Sequence, residues 1–302
     1  MSLIKKISEE EIFKKKPIVL MHIGSAGTNF YNWNKISKNS ILVSLDGNLK
    51  KEKITKNYVK IINKNVIISD KNSKSKFYIT KDTDCSSLLE PNENTYKNWY
   101  GAHRFKVKKV VLTDVVEINN FLKKKKINYI DWLVIDIQGM DLRVIKKLKE
   151  NIKKNISIID IEPGFEPFYV GADNIIQVFD YMNRYYEFSD MNFGLNYKVK
   201  SKNLKFLEKK LLFLTNHASK IYTNINFVNK HNDKRKILLK LIYLISNNKI
   251  FEARDLIDKN VKYKKSLSKI YYEINKYLFL QKIKLLFFFP FYYLKKTMLN
   301  LK

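Results

Sequence analysis

Runs of apolar residues alternate with helical and polar segments along the first two thirds of the chain. Four apolar runs are predicted to form strands, at residues 17–23, 41–45, 133–135 and 156–161, and the run 133–135 is typical of a strand buried on both faces. Other extended segments are predicted at residues 59–68, 77–80, 105–111 and 211–214. Helices are predicted at about 30–36, 119–126 and 173–185, the last with Asp173 as its N-cap. This alternation predicts parallel βαβ units rather than a β-sandwich or a helix bundle.

The pattern changes near Asn216. Beyond it, two amphipathic helices are predicted at residues 237–245 and 250–257, followed by a longer helical run at 266–288 that Pro290 ends. We therefore expect an α/β domain over residues 1–216 and a basic, aromatic-rich helical extension over residues 217–302.

Residues 133–148 carry the clearest candidate chemistry. The apolar run 133–135 leads directly into Asp136, Gln138 and Gly139, and apolar residues then recur at helical spacing. In open α/β sheets, ligands bind where strands end and helices begin. The segment alone leaves two interpretations open: an active-site edge, or an ordinary turn in which Asp136 caps the next helix.

The start of the chain resembles a nucleotide-binding α/β layout. The turn Gly24-Ser25-Ala26-Gly27 follows the first strand, and Asp46 follows the second, 22 residues beyond Gly24. Glycines allow close approach of the backbone to a ligand, and the later acid accepts hydrogen bonds from ribose hydroxyls. Asp70, after the next strand, has the register expected for the adenine side. Since the full G-x-G-x-x-G pattern is lacking, a plain tight turn is the alternative.

Composition limits the class of protein. The 302 residues are enough for one large domain with an appendage or for two domains. The net charge is +29, and residues 217–302 hold 19 Lys+Arg against 5 Asp+Glu. Cys85 is the only cysteine, which excludes an intramolecular disulfide and a cysteine-rich zinc site. With no signal-peptide pattern, and a longest apolar run of ten residues at 285–294, we expect a cytoplasmic protein without a spanning segment.

These motifs together resemble the FkbM family of methyltransferases. The family pattern at the fourth strand is close to Lys-x-Asp-x-Glu/Gln-Gly-x-Asp/Glu, and the chain matches it at Asp136, Gln138, Gly139 and Asp141. Ser86 and Ser87 also match a loop of the family. The chain departs at Val134, where the family usually carries lysine, and at His22, where an acid commonly precedes the first glycine. The likeness covers about residues 17–216.

The resemblance implies a Rossmann-like, seven-stranded methyltransferase sheet and S-adenosylmethionine as cofactor. It also implies O-methylation of a hydroxyl on a sugar or related metabolite, for example in surface-polysaccharide assembly. The acceptor is then a small molecule or glycan. The residues assigned to cofactor binding are Gly24, Ser25, Gly27, Asp46, Asp70 and Gln138.

Catalysis requires removal of the proton from the acceptor hydroxyl, in addition to positioning of donor and acceptor. Asp136 is the first choice as base, and Glu162 and His103 are the alternatives. A lone histidine such as His103 is more often an ordinary surface or core residue. No metal site is expected.

Three rival functions are weighed against this one. A nucleic-acid methyltransferase would suit the positive charge, but base-methylating enzymes typically carry an Asn/Asp-Pro-Pro-aromatic turn where this chain has residues 136–139. A nicotinamide-dependent sugar oxidoreductase would need the fuller glycine fingerprint. A methyltransferase-like scaffold with a partner-binding tail is the third.

The C-terminal segment 266–302 interleaves aromatic residues with lysines. This composition suits an interfacial helix lying on anionic lipid, which would bring the protein into peripheral contact with the inner face of the membrane. The alternative is a helix whose aromatics pack against the protein while its lysines are merely solvated.

Overall fold

The computed structural model describes residues 3–25, 31–47, 57–97, 101–196 and 219–283. The chain forms two compact units: residues 15–231 form the sheet unit, and residues 1–14 with 232–302 form the helical unit. The division thus falls between His231 and Asn232, later than the expected boundary at Asn216. The reason is that residues 219–229 pair with the sheet.

The strands in the described part of the sheet unit are numbered here in the order in which they occur along the chain. They are β1 (Ile18–Ile23), β2 (Ser40–Asp46), β3 (Lys60–Asn65), β4 (Ile67–Ser69), β5 (Ser73–Thr80), β6 (Val107–Glu117), β7 (Trp132–Ile135), β8 (Ile158–Ile161), β9 (Tyr186–Asn196) and β10 (Ser219–Asn229). A seven-stranded sheet has the order β3-β2-β1-β7-β8-β10-β9. Strands β3, β2, β1, β7 and β8 are parallel, and β10 is antiparallel to both of its neighbours. This mixed, mostly parallel sheet of seven strands is consistent with the Rossmann-like sheet that the resemblance implied.

A smaller sheet of order β4-β6-β5 accompanies it, with β4 parallel and β5 antiparallel to β6. The extended structure predicted over residues 59–68 is confirmed, and it is divided into two strands, β3 and β4, which lie in different sheets. The extended segment predicted at 105–111 continues to Glu117.

The described helices are α1 (Leu3–Ser8), α2 (Glu11–Lys15), α3 (Glu93–Tyr96), α4 (Ile118–Lys124), α5 (Asp141–Lys147), α6 (Glu150–Lys153), α7 (Ile175–Met182), α8 (Lys234–Ser246), α9 (Ile250–Lys259), α10 (Val261–Lys264) and α11 (residues 268–283). The helix predicted at about 30–36 is a short 3-10 helix over Tyr31–Lys35. The strand predicted at 211–214 lies outside the described residues.

The cap predicted for α7 is wrong. Asn174 is the N-cap, and it forms a capping box with Gln177. Asp173 instead accepts a hydrogen bond from the backbone N–H of Arg143 at 3.1 Å, in the first turn of α5, and pairs with the Arg143 side chain at 3.2 Å. Asp136 does not cap α5 either, because the N-cap there is Met140.

The hydrophobic core of the sheet unit lies around its central strands. Strands β1, β7 and β8 are buried along their whole length, as expected of central parallel strands. One row of register partners crosses the sheet and lies within a single apolar cluster: Val43, Met21, Leu133, Ile159 and Phe227. This row holds the carboxyl ends of β1, β2 and β7 in fixed relation, which positions the site.

The helical unit has its own core. Helix α1 packs against α8, and Ile4, Ile7, Ile237 and Leu241 are buried there. Lys6 pairs with Glu273 at 2.7 Å, which ties α1 to α11. Among the described residues, no helix combines the length and apolar character needed to cross a membrane.

Candidate active site

The turn after β1 is shaped by contact with β7. Gly24 has a φ of +81°, and a Cβ built on it would lie 1.7 Å from the carbonyl oxygen of Asp136. Its N–H donates to the carbonyl oxygen of Leu45 at 2.8 Å, while the N–H of Asp136 donates to that of Ile23 at 3.0 Å. Only glycine fits between these backbones, because any side chain would collide with Asp136.

Ser25 joins the same turn to β2. It is buried, and its Oγ lies 2.8 Å from the Oγ of Ser44, which donates to it. Gly27 lies outside the described residues. The turn therefore holds the ends of β1, β2 and β7 together at one edge of the sheet.

A cavity of about 530 Å³, called the first cavity, opens at this edge. Gly24, Ser25, Asp46, Asp136 and Gln138 all line it. Apolar side chains from the smaller sheet and the β3–β4 region complete the described lining; they include Val66, Ile67, Ile68, Phe77 and Val111. The lining therefore combines a carboxylate at the end of β2 with an apolar wall.

Asp70 does not belong to the described lining of this cavity. It follows β4, and its Oδ1 accepts a hydrogen bond from the Oγ of Ser69 at 3.0 Å. The structure thus brings together four of the six residues assigned to cofactor binding and leaves Asp70 apart.

A second cavity of about 320 Å³ adjoins the first and shares Asp84, Asp136 and Gln138 with it. Its other walls carry aromatic, acidic and basic side chains: Phe105, Phe168, Tyr169, Glu162, Glu166 and Arg104. Phe105 stacks on Phe168 with ring centroids 5.2 Å apart. Asp136 and Gln138 therefore form a wall common to both cavities.

Hydrogen bonds fix this common wall. Gln138 Nε2 donates to Asp136 Oδ1 at 2.6 Å, and the Tyr169 hydroxyl donates to Gln138 Oε1 at 2.8 Å. Ser87 Oγ donates to the backbone carbonyl of Gln138 at 2.9 Å. Gln138 and Gly139 have φ values of +56° and +97°, so the chain turns sharply out of β7 here. The amide of Gln138 is engaged on both sides, and it orients the Asp136 carboxylate.

The carboxylates at the wall have displaced pKa values. Burial raises the pKa of Asp136 to about 6, although the hydrogen bond from Gln138 counteracts part of the rise. Burial and the nearby charges of Asp136 and Asp141 raise the pKa of Glu162 to about 9. The two carboxyl groups are hydrogen-bonded to each other, so at neutral pH Glu162 holds the proton and Asp136 is ionised.

Asp141 supports the turn from behind. It is buried, and its Oδ1 accepts a hydrogen bond from the N–H of Ile137 at 2.7 Å. Burial and the charge of Asp136 raise its pKa well above the usual range. His103, the other candidate base, is exposed in a 3-10 helix and belongs to the described lining of neither cavity.

Sequence reasoning missed the far wall of the second cavity. Phe168, Tyr169 and Glu166 follow β8 in the segment 162–169, and Arg104 and Phe105 follow Gly101. The signal available was the aromatic and acidic cluster directly after the β8 run, which occupies the same sheet edge as Asp136.

A comparison with protein families matches residues 20–193 to the Methyltransferase FkbM domain. The match covers more than half of the chain, from within β1 to within β9. The chain belongs to the FkbM family of methyltransferases. No curated protein and no solved structure gives a significant match. The residues that form the common wall, Asp136, Gln138, Glu162 and Tyr169, all lie within the matched FkbM region.

The two departures from the FkbM pattern are neighbours in the structure. His22 and Val134 are register partners on the adjacent strands β1 and β7. Where the family carries an acid and a lysine, this chain has an imidazole and a valine. Burial lowers the pKa of His22 to about 4, so the imidazole is neutral at neutral pH. The two positions at which the chain departs from the pattern therefore lie side by side, and neither side chain is charged at neutral pH.

Proposed function

We propose that this FkbM protein is an S-adenosylmethionine-dependent O-methyltransferase acting on a hydroxyl of a carbohydrate or related metabolite. The observation that carries the proposal is the common wall: Asp136 and Gln138 line both the first and the second cavity. A group transfer requires a donor site and an acceptor site that meet at a catalytic residue.

The first cavity fits the donor. Its volume of about 530 Å³ lies within the range of ligand pockets, roughly 300–1,000 Å³. Asp46, at the end of β2, has the position and chemistry to accept hydrogen bonds from ribose hydroxyls. The apolar side chains of Ile67, Ile68 and Phe77 suit a flat adenine ring. When bound, S-adenosylmethionine supplies a methyl group activated by its sulfonium charge.

The second cavity fits a sugar-sized acceptor. Aromatic rings such as Phe105 and Phe168 offer apolar faces to sugar C–H groups, and Glu166 and Asp84 can accept hydrogen bonds from hydroxyls. Surface polysaccharides supply acceptors of this kind, which makes their sugars the first ones to test.

Asp136 is the base in this proposal. Ionised at neutral pH, it accepts the acceptor's hydroxyl proton while the oxygen takes the methyl group. Gln138 holds Oδ1 and so fixes the plane of the carboxylate. Glu162, protonated beside it, keeps the pair at one negative charge.

Calorimetry tests the donor site. S-adenosylhomocysteine should bind the purified full chain, and Gly24→Val and Asp46→Ala should each weaken it. The valine would collide with the Asp136 carbonyl, and the alanine would lose the ribose hydrogen bonds.

Two results would overturn the donor assignment. One is absence of binding by the wild type, and the other is tighter binding of NAD, which would favour an oxidoreductase. A screen of sugars, sugar nucleotides and glycans with labelled donor then tests the acceptor class.

A further inference from the structure

Helix α11 in the helical unit has two contrasting faces. Ile270, Ile274 and Leu278 are buried at helical spacing and mark one face of the helix. At 100° per residue, the opposite face carries the side chains of Lys269, Tyr272, Lys276, Phe279 and Leu280. We call this set the outer face of α11.

The outer face is exposed and apolar where a solvated helix is normally polar. Tyr272 is 66% exposed and Phe279 is 62% exposed. Single exposed apolar residues are common on protein surfaces. These, however, share one face with two lysines, Lys269 and Lys276.

Acidic residues do not balance these lysines. From Lys259 to the end of the sequence, Glu273 is the only acid among eleven lysines. Glu273 pairs with Lys6 at 2.7 Å, and this contact lowers its pKa. The outer face therefore joins aromatic and aliphatic side chains to positive charge.

We propose that the outer face of α11 binds an anionic phospholipid surface. Tyr272 and Phe279 would insert at the headgroup boundary, while Lys269 and Lys276 would lie against lipid phosphates. The composition continues along the sequence, since residues 284–296 combine a run of Phe, Tyr and Leu with Lys284, Lys295 and Lys296. The proposal is independent of the chemistry at the active site.

A lipid surface explains this face better than a nucleic acid does. Leu280 has no flat ring on which a base could stack, and it lies beside Phe279. The cations of the outer face are lysines, which act as point charges; the planar, bidentate guanidinium of arginine is absent from it. Exposed aliphatic carbon next to lysine is the composition of interfacial helices.

Vesicle co-sedimentation of the full chain tests the proposal. The wild type should bind vesicles of mixed phosphatidylglycerol and phosphatidylcholine, and bind pure phosphatidylcholine weakly. Lys269→Gln with Lys276→Gln should lower partitioning to the anionic vesicles about 25-fold, since each lysine near the surface adds about 1 kcal/mol. Tyr272→Ser with Phe279→Ser should weaken binding to both vesicle types. Salt should also weaken binding, because the Debye length falls from about 10 Å at 0.1 M to about 3 Å at 1 M.

A matched control distinguishes the effect of the outer face from the effect of a lower net charge. Lys108→Gln with Lys123→Gln removes two exposed lysines from the sheet unit and should leave partitioning near the wild-type value. Equal loss in the control and in the α11 variant would overturn the proposal, as would failure of the wild type to bind anionic vesicles. Stronger binding of single-stranded oligonucleotide, with displacement from vesicles, would overturn it in favour of nucleic acid. Because the altered side chains are exposed, circular dichroism should be unchanged in every variant.

Discussion

The ionisation of the Asp136 side chain depends on groups that lie both near to it and far from it in the sequence. Gln138 holds it from two residues away, Glu162 shares a proton with it from the end of β8, and Tyr169 fixes Gln138 from beyond β8. Burial alone would favour the protonated acid, and the Gln138 donor brings the pKa back to about 6. The result is a carboxylate that is ionised at neutral pH yet basic enough to take a proton.

Replacing Asp136 should therefore separate chemistry from binding. Asp136→Asn should lower kcat by about 10²–10⁴-fold, the usual value of general-base assistance, while the Kd for S-adenosylhomocysteine changes little. In the wild type, turnover should fall as pH drops through about 6, because protonated Asp136 cannot act as a base. Steady-state kinetics across pH, with calorimetry, measures both effects.

Asp114→Asn is the control, since Asp114 is exposed on β6 and belongs to the described lining of neither cavity. Unchanged turnover in Asp136→Asn would remove Asp136 from the role of base. A pH profile without a limb near 6 would contradict the assignment of the ionised form.

At the scale of strands, a second row of register partners crosses the sheet on the face opposite the apolar row. It runs through Ser44, His22, Val134, Asp160 and Asn226 on five neighbouring strands. Val134, where the family usually has lysine, lies between His22 and the buried acid Asp160. Asp160 Oδ2 accepts from Trp132 Nε1 at 2.5 Å, and no described residue hydrogen-bonds its Oδ1. Burial raises the pKa of Asp160 to about 7, although the hydrogen bond from Trp132 counteracts part of the rise.

A lysine at position 134, where the family usually carries one, should form an ion pair with Asp160 on the neighbouring strand β8. Val134→Lys should be tolerated when Asp160 is present, but in an Asp160→Asn background it should bury an unpaired ammonium. Urea unfolding of the four proteins should give a coupling energy of about 0.5–3 kcal/mol in favour of the Lys–Asp combination. Val134→Leu serves as the size control, and it should show no coupling to Asp160. Additive costs would mean that the two positions do not interact.

At the scale of the whole molecule, the chain is strongly basic, yet several acidic side chains are buried in its sheet unit. Asp160, Asp136, Glu162 and Asp141 all have pKa values above their usual ranges because of burial. For an acid of this kind the folded state binds more protons than the unfolded state. The free energy of unfolding therefore falls as pH rises from the unfolded pKa to the folded one.

Asp160→Asn measures this effect at an acid that belongs to the described lining of neither cavity. For Asp160 the window runs from pH 3.8 to about 7, so the variant should gain stability relative to the wild type across that window and keep the gain above it. The gain is limited to about 1.4 kcal/mol per pKa unit, and the asparagine can still accept from Trp132. Denaturant unfolding from pH 4 to pH 8 measures it. Equal pH slopes in wild type and variant would show that Asp160 is ionised in the folded state without cost.

The sequence by itself determined the elements that local pattern encodes. Apolar runs identified β1, β2, β7 and β8, because strands buried on both faces must be apolar throughout. The sharp turns at Gly24 and Gly139 were predicted because each glycine lies shortly after a strand. The motif at the fourth strand identified Asp136 as a candidate and carried the resemblance to the family. Local pattern also explains what was left open or missed: the segment 59–68 does not reveal that its two strands belong to different sheets, and Asp173 is as good a helix cap in sequence as Asn174.

Only the tertiary structure decided which distant groups meet. Strand order and register bring three pairs of residues together. Tyr169 contacts Gln138, Glu162 contacts Asp136, and His22 lies beside Val134. Strand order and register are set by packing between segments many residues apart, and a pattern within one segment carries no record of them. The displaced pKa values have the same origin, since burial is a property of the assembled sheet. The resemblance that these residues carry therefore implied a methyltransferase, whereas the fold decided which carboxylate lies in the wall between the two cavities.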